Sequence, residues 1–233
     1  MNTGQELTTF VTGLNAESTI DPTLLGVLVG TAQTIIEEER PWMVLRKTNT
    51  SKSVATSSTW ETAIDLSTIT DFSRFYSDQP LVLYATDGRR QYYNLKPFDR
   101  RLEYKDVSGT ACYDANSKTL YLNGVVPFAG TLYIHYVSTS TAIDVESASA
   151  VWTLFPSRFL PLIGFYATGI NKGAVDYDDI NRSMLPENRA VLEALKNAME
   201  KWDNELQLVT LESNDPTDYY GTGRGRATVH YDN

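Results

Sequence analysis

The sequence predicts an α+β protein: a helical bundle formed from both chain ends, an inserted antiparallel β-rich subdomain, and an extended C-terminal arm. Three patterns carry this expectation. At both ends apolar residues recur every three or four positions, as on one face of an α-helix. In the middle the period shortens toward two, and β-branched and aromatic residues concentrate there, as suits a half-buried pleated sheet. After Glu212 the chain has no Leu, Ile, Met or Phe, too little apolar surface to offset the entropy of ordering. The expected divisions are 1–41 for the N-terminal helices, 42–150 for the insert, 151–211 for the C-terminal helices and 212–233 for the arm.

The first helix, Thr3 to Leu14, is short and weakly amphipathic. Asp21 then stands as an N-cap with Pro22 at the first helical position. Leu25, Leu28, Ala32, Ile35 and Glu39 follow at helical spacing, and Pro41 stops the helix after the charged run Glu37 to Arg40. Alternation takes over from Trp42 to Val137. It is clearest at Leu81 to Ala85, Thr119 to Leu122 and Leu132 to Val137, with turn signals at Asp87-Gly88, Asp114-Ala115-Asn116 and Ala129-Gly130. Asp87-Gly88 reads as a tight hairpin, and a short helix at Pro97 to Tyr104 would place Phe98 and Leu102 on one face. Pro156 to Gly173 is apolar nearly all round, which predicts a helix buried on most sides. Residues 174–186 read as a polar acidic loop. The last helix, Pro186 to Leu211, carries Leu192, Leu195, Met199, Trp202, Leu206 and Val209 as a seam of period 3.5.

Composition narrows the function. The 233 residues carry 20 basic and 29 acidic side chains, a net charge of -9, which disfavours nucleic-acid binding as the main task. No apolar run approaches the roughly 18 residues that span a bilayer, and no basic stretch leads into an apolar block as in a Sec-type signal. Cys112, the only cysteine, forms no internal disulfide and argues against a stapled secreted module. A globular protein of a reducing compartment is the expectation.

Catalytic patterns are sparse. His135 lies in an alternating strand and His230 in the tail, while Cys112 sits between Ala111 and Tyr113 in a predicted strand. No nucleophile elbow and no zinc motif occurs. The run Asp176 to Glu187 has the twelve-residue length of a calcium loop, but Ile180 stands where the fifth-position ligand belongs and Asn181 replaces the obligatory glycine. Gly221, Gly223 and Gly225 follow no strand and open no helix, so they make no phosphate cradle. No catalytic residue, metal or cofactor is expected, and the chain reads as no enzyme. The densest positive charge is in two doublets, Arg89-Arg90 and Arg100-Arg101, which flank a strand pair and a short helix. They suit docking to an acidic protein surface, a weak contact with nucleic acid passing nearby or, at least equally, a solvated sheet edge that resists aggregation.

Two stretches carry a resemblance. The first is Ile35-Ile36-Glu37-Glu38-Glu39-Arg40-Pro41-Trp42-Met43-Val44-Leu45, followed by a Thr/Ser-rich strand. The second is Trp152-Thr153-Leu154-Phe155-Pro156-Ser157-Arg158-Phe159-Leu160, leading into an apolar helix through Ala167. With the order of elements over residues 20–210, they resemble the head-to-tail adaptor (connector) proteins of tailed bacteriophages. The resemblance implies a virion protein at the head–tail interface, made in the host cytoplasm. It implies rings of about twelve copies beneath the portal, around a channel through which DNA passes without sequence-specific binding. The implied partners are the portal protein, tail or nozzle proteins and further copies of the chain, with no membrane. The C-terminal segment would dock on a neighbour or the portal, with Tyr219, Tyr220 and Tyr231 as anchors and Arg224 and Arg226 pairing with acidic partners. Arg89, Arg90, Arg100 and Arg101 are the contact candidates on the insert. Another tail or baseplate ring protein shares this assembly logic, and tyrosines 84, 92, 93, 121 and 133 leave open a carbohydrate- or receptor-binding module.

Overall fold

A computed structural model describes residues 1–15, 20–77 and 79–212. The first half of the chain contains α1 (Gly4–Asn15), α2 (Pro22–Glu39), β1 (Arg46–Val54), β2 (Glu61–Asp65), β3 (Phe72–Phe75), β4 (Leu81–Tyr84) and β5 (Arg90–Lys96). There follow α3 (Arg101–Tyr104), β6 (Thr110–Asp114), β7 (Thr119–Asn123), β8 (Gly130–Ser138), α4 (Leu160–Asn171), α5 (Tyr177–Ser183) and α6 (Pro186–Glu212). These group into two compact units. One joins Met1–Leu45 to Thr139–Val209, and the other is built on Arg46–Ser138.

In the sheet unit the strands run in the order β1-β8-β4-β5-β6-β7-β2. The nine residues of β8 pair with β1 along one side, while β4 and then β3 share the other. Alternation decides which face is core. Leu81 and Leu83 sit opposite Ile134 and Leu132, and Ala111 and Ile64 sit opposite Leu122 and Leu120. All eight of these side chains are buried, and the sheet curls around them into a half-barrel with its own apolar core. All pairs are antiparallel except β5 with β6, whose connection runs through Pro97–Gly109 and carries α3. Gly88, at φ 88°, makes the β4–β5 hairpin turn that Asp87-Gly88 signals.

In the helical unit α4 is the hub against which α1, α2 and α5 pack. Gly164 lets α1 approach, since a β-carbon there would lie 2.5 Å from a ring carbon of Phe10. Asp21 caps α2 by accepting the N–H groups of Thr23 and Leu24 at 2.8 and 3.2 Å. The buried face of α2 is Leu25, Leu28, Val29, Ala32 and Ile36, together with two polar residues, Gln33 and Glu37.

The predicted architecture is therefore corrected. The protein is a mixed α/β structure dominated by an eight-stranded curled sheet, with six α-helices among the described residues, and not a helical bundle carrying a small antiparallel insert. The physical reason lies in register. Strands such as β1 and β3 are short or rich in Ser, Thr and Lys, so each looks like a fragment, yet they close one sheet by pairing with the same long partner. The sheet then buries fifteen residues in a core of its own, which makes it a full layer and not an appendage. On the helical side α6 buries Leu192, Met199 and Asp203, whereas Leu195, Trp202 and Leu206 stay half-buried, so the expected seam is only partly used. The predicted loop at 174–186 contains α5, which Asp176 caps through the N–H of Asp179 at 2.9 Å. The arm and its candidates Tyr219, Tyr220, Arg224, Arg226 and Tyr231 lie outside the described residues.

Candidate functional site

The two arginine doublets stand at opposite ends of β5, which separates them by about 20 Å, so they make no common basic face. Each arginine is engaged within the sheet unit. Arg89 pairs with Asp87 at 2.8 Å and lies over Phe128, and Arg90 lies over Tyr84. Arg100 pairs with Glu103 at 2.6 Å. Arg101 grips the carboxylate of Glu61 with two nitrogens and sits 3.5 Å from the centre of the Tyr121 ring. These arginine hydrogen bonds hold the carboxyls of Asp87 and Glu103 below the ordinary range. The pairs at Asp87 and Glu103 are exposed and contribute little to stability. Arg101 differs, because its half-buried fork fastens α3 to β2.

The tyrosines behind the sugar-binding reading differ in burial, with Tyr84, Tyr92, Tyr121 and Tyr133 half-buried. Tyr93 is buried in the core, and burial pushes its hydroxyl up to about 12. Tyr84 and Tyr133 pack on each other at 4.5 Å, and Tyr121 is covered by Arg101 and Phe98. By contrast, Phe98 and Leu102 share a face that points outward, with Leu102 76% exposed.

Cys112 is fully buried, and desolvation raises its thiol, the opposite of what a nucleophile needs. His135 is buried on β8. Its Nδ1 meets the Thr48 hydroxyl at 2.8 Å, and its Nε2 is buried without a hydrogen-bond partner. Burial keeps its pKa below the usual value, so the folded state favours the neutral ring. As pH falls through the unfolded-state value of about 6.5, the unfolded chain takes up a proton that the folded one resists, and stability drops. Urea midpoints are expected to fall between about pH 7 and pH 5.5 in the native sequence, and to flatten across that window in His135→Leu. An equal slope in both proteins would assign the pH dependence elsewhere.

Two buried carboxylates, neither singled out by the sequence, organise the helical unit. Glu37, on the apolar face of α2, accepts from Gln33 Nε2 at 3.0 Å, Trp152 Nε1 at 2.9 Å, the Ser140 N–H at 3.2 Å and the Ser140 hydroxyl. Gln33 extends the network by donating to the Thr141 carbonyl at 3.0 Å and accepting the Ile143 N–H at 3.1 Å. The segment Ser140–Trp152 is thereby tied to α2, and a cleft of about 250 Å³ opens beside it, lined by Asp144, Val151 and Leu154 among others. Trp152 pays for this placement with a left-handed backbone, φ 53°, a conformation that costs an ordinary residue about 1–2 kcal/mol. Its indole bond to Glu37 and its stack on Phe155, 4.2 Å between centroids, offset that strain.

Asp203 on α6 is the second. Its side chain is fully buried, pairs with Arg40 at 3.0 Å, and accepts the Met43 N–H at 2.6 Å and Gln207 Nε2 at 3.0 Å. Arg40 lies over Trp42, whose own indole donates to the Ile36 carbonyl at 2.7 Å. Nearby, Glu39 accepts from the Tyr166 hydroxyl at 2.7 Å and pairs with Lys196, which sits on the Tyr177 ring at 3.5 Å. Chemically these clusters fasten helices together. None sets a nucleophile beside a base, and the described residues contain no group of three or more His, Cys, Asp or Glu able to hold a metal ion. Among the described residues no helix is long and apolar enough to cross a membrane.

Compared with known proteins, the chain matches no family model and no curated protein.

Proposed function

We propose that this chain is a structural virion protein, a head-to-tail adaptor that forms a ring between portal and tail around the DNA channel, with no enzymatic activity. The observation that carries the reading is the meeting of the two stretches on which the resemblance rests. Trp42 of the first packs edge-on to Phe155 of the second at 6.1 Å, and Phe155 stacks on Trp152. Trp202 closes the group against Phe155 and Phe159 at 6.1 and 5.7 Å. The two stretches thus meet in one aromatic packing motif, which supports the reading. Large apolar side chains left in solvent on both units also suit a subunit that works through contacts with other proteins. They include Leu24 and Val27 on α2, and Trp60 and Leu102 in the sheet unit.

On this reading the partners are the portal protein, tail or nozzle proteins and further copies in a ring of about twelve. DNA passes the acidic ring without sequence-specific contact, and the protein resides in the virion. Native mass spectrometry of the full chain, alone and mixed with a candidate portal ring, tests it. A 26.1 kDa monomer that joins the portal in fixed stoichiometry is expected. Removing residues 213–233 should leave the urea midpoint unchanged while abolishing that association, since this stretch carries tyrosines suited to anchoring and no Leu, Ile, Met or Phe. A full chain that ignores the portal would overturn the adaptor reading.

A further inference from the structure

One corner of the sheet unit combines features found nowhere else on its described surface. Around α3 the large apolar side chains Trp60, Leu102, Val107 and Val125 are 47%, 76%, 44% and 49% exposed, beside Phe98 at 37%. Main-chain bonds tie Trp60 and the end of the α3 segment to the turn at Gly124. The N–H of Gly124 donates to both the Trp60 and the Lys105 carbonyls, at 2.8 and 2.9 Å. Gly124 itself, at φ 73°, admits no side chain, because a β-carbon would lie 2.6 Å from the Ser108 nitrogen. Two cations lie on aromatic rings in this corner, Lys105 over Trp60 at 4.8 Å and Lys96 over Tyr104 at 5.7 Å. Neither forms an ion pair among the described residues, in a chain whose net charge is -9.

Such a surface suits an acidic peptide with aromatic side chains, and the chain carries one. From Glu212 to Tyr220 the sequence holds Glu212, Asp215, Asp218 and the pair Tyr219-Tyr220, with no basic residue. We infer that the α3 corner is the docking site for residues 213–220 of a second copy of this chain. The inference rests on the ring reading, which sets copies side by side. The tyrosines cover Leu102, Val107 and Trp60, and the carboxylates answer Lys96 and Lys105. Eight residues beyond Glu212 reach up to about 27 Å when extended. A segment exchanged in this way makes a heterologous contact, the kind that closes rings.

Photo-crosslinking tests it with the full chain. Tyr219 is replaced by p-benzoylphenylalanine, and unlabelled and heavy-nitrogen chains are mixed and irradiated. This is done in solution at the highest soluble concentration and again on the portal ring. Mass spectrometry is expected to find residue 219 of one isotopic kind joined to peptides containing Trp60 or residues 96–107 of the other. Leu102→Asp and Lys105→Glu should each cut that yield about tenfold with the urea midpoint unchanged, and Lys105→Arg should preserve it. Links within one isotopic kind only, links to another surface, or no links at all would overturn the inference. A chain that joins the portal without these links keeps the adaptor reading and loses the docking site, and links in a chain that ignores the portal do the reverse.

Discussion

Glu37→Ala is expected to lower the unfolding free energy of the helical unit by about 3–5 kcal/mol. The substitution removes the acceptor for four donors at once: Gln33, Trp152, and the N–H and hydroxyl of Ser140. A buried donor left without a partner costs about 1–3 kcal/mol, and some of these can turn toward Thr141 or solvent, so the sum falls short of four full penalties. Releasing the Trp152 indole also leaves its left-handed backbone without compensation. Urea unfolding followed by tryptophan fluorescence reads this directly, because Trp42, Trp152 and Trp202 all belong to the helical unit. Glu37→Gln keeps one acceptor oxygen and should lose about half as much. A change below about 1 kcal/mol in the alanine variant would show that the network is not what holds Ser140–Trp152 on α2.

Asp203→Ala is expected to cost a similar amount, about 3–5 kcal/mol, by a different route. The carboxylate has no exposed surface, and its loss removes the acceptor of the Met43 N–H and leaves the half-buried Arg40 guanidinium without its ion pair, held by the Asn204 side-chain oxygen at 3.0 Å. The companion variant Arg40→Ala leaves Asp203 with the Met43 and Gln207 bonds, so it should be milder. The double variant should then be less destabilised than the sum of the two, and the shortfall measures the coupling of the pair. Additive losses would mean that the ion pair contributes nothing beyond its separate hydrogen bonds. Because the pair is shielded from solvent, the coupling should change little between low and high salt, unlike the exposed Arg100–Glu103 pair.

These two carboxylates show where sequence reasoning stopped short. The apolar stripe of α2 was legible, but read through Ile35 and Glu39, whereas the structure buries Ile36, Gln33 and Glu37. Gln33 and Glu37 fall four apart and in phase with Val29, and two polar residues on an apolar face are themselves a signal of a buried network. On α6 a seam of period 3.5 includes Trp202 and not Asp203, although Asp203 follows Met199 by one helical turn. The acidic run around α5 lacks the ligands of a calcium loop, and its first acidic residue, Asp176, is the helix cap.

The arginine doublets illustrate the opposite limit. The doublets are close in sequence, but a strand is nearly straight, so residues before and after β5 stand at opposite ends of it.

By itself the sequence determined the helical period of α2, α4 and α6, the alternation of β4, β7 and β8, the hairpin at Asp87-Gly88 and the cap at Asp21, because each depends on residues within a few positions of one another. Only the tertiary structure decided that β1 and β3 complete one eight-stranded sheet through β8, that β5 and β6 run parallel, and that Trp42 meets Phe155. Those facts depend on pairings between residues far apart in the chain, where the free energy lies in register and shared burial and not in local propensity.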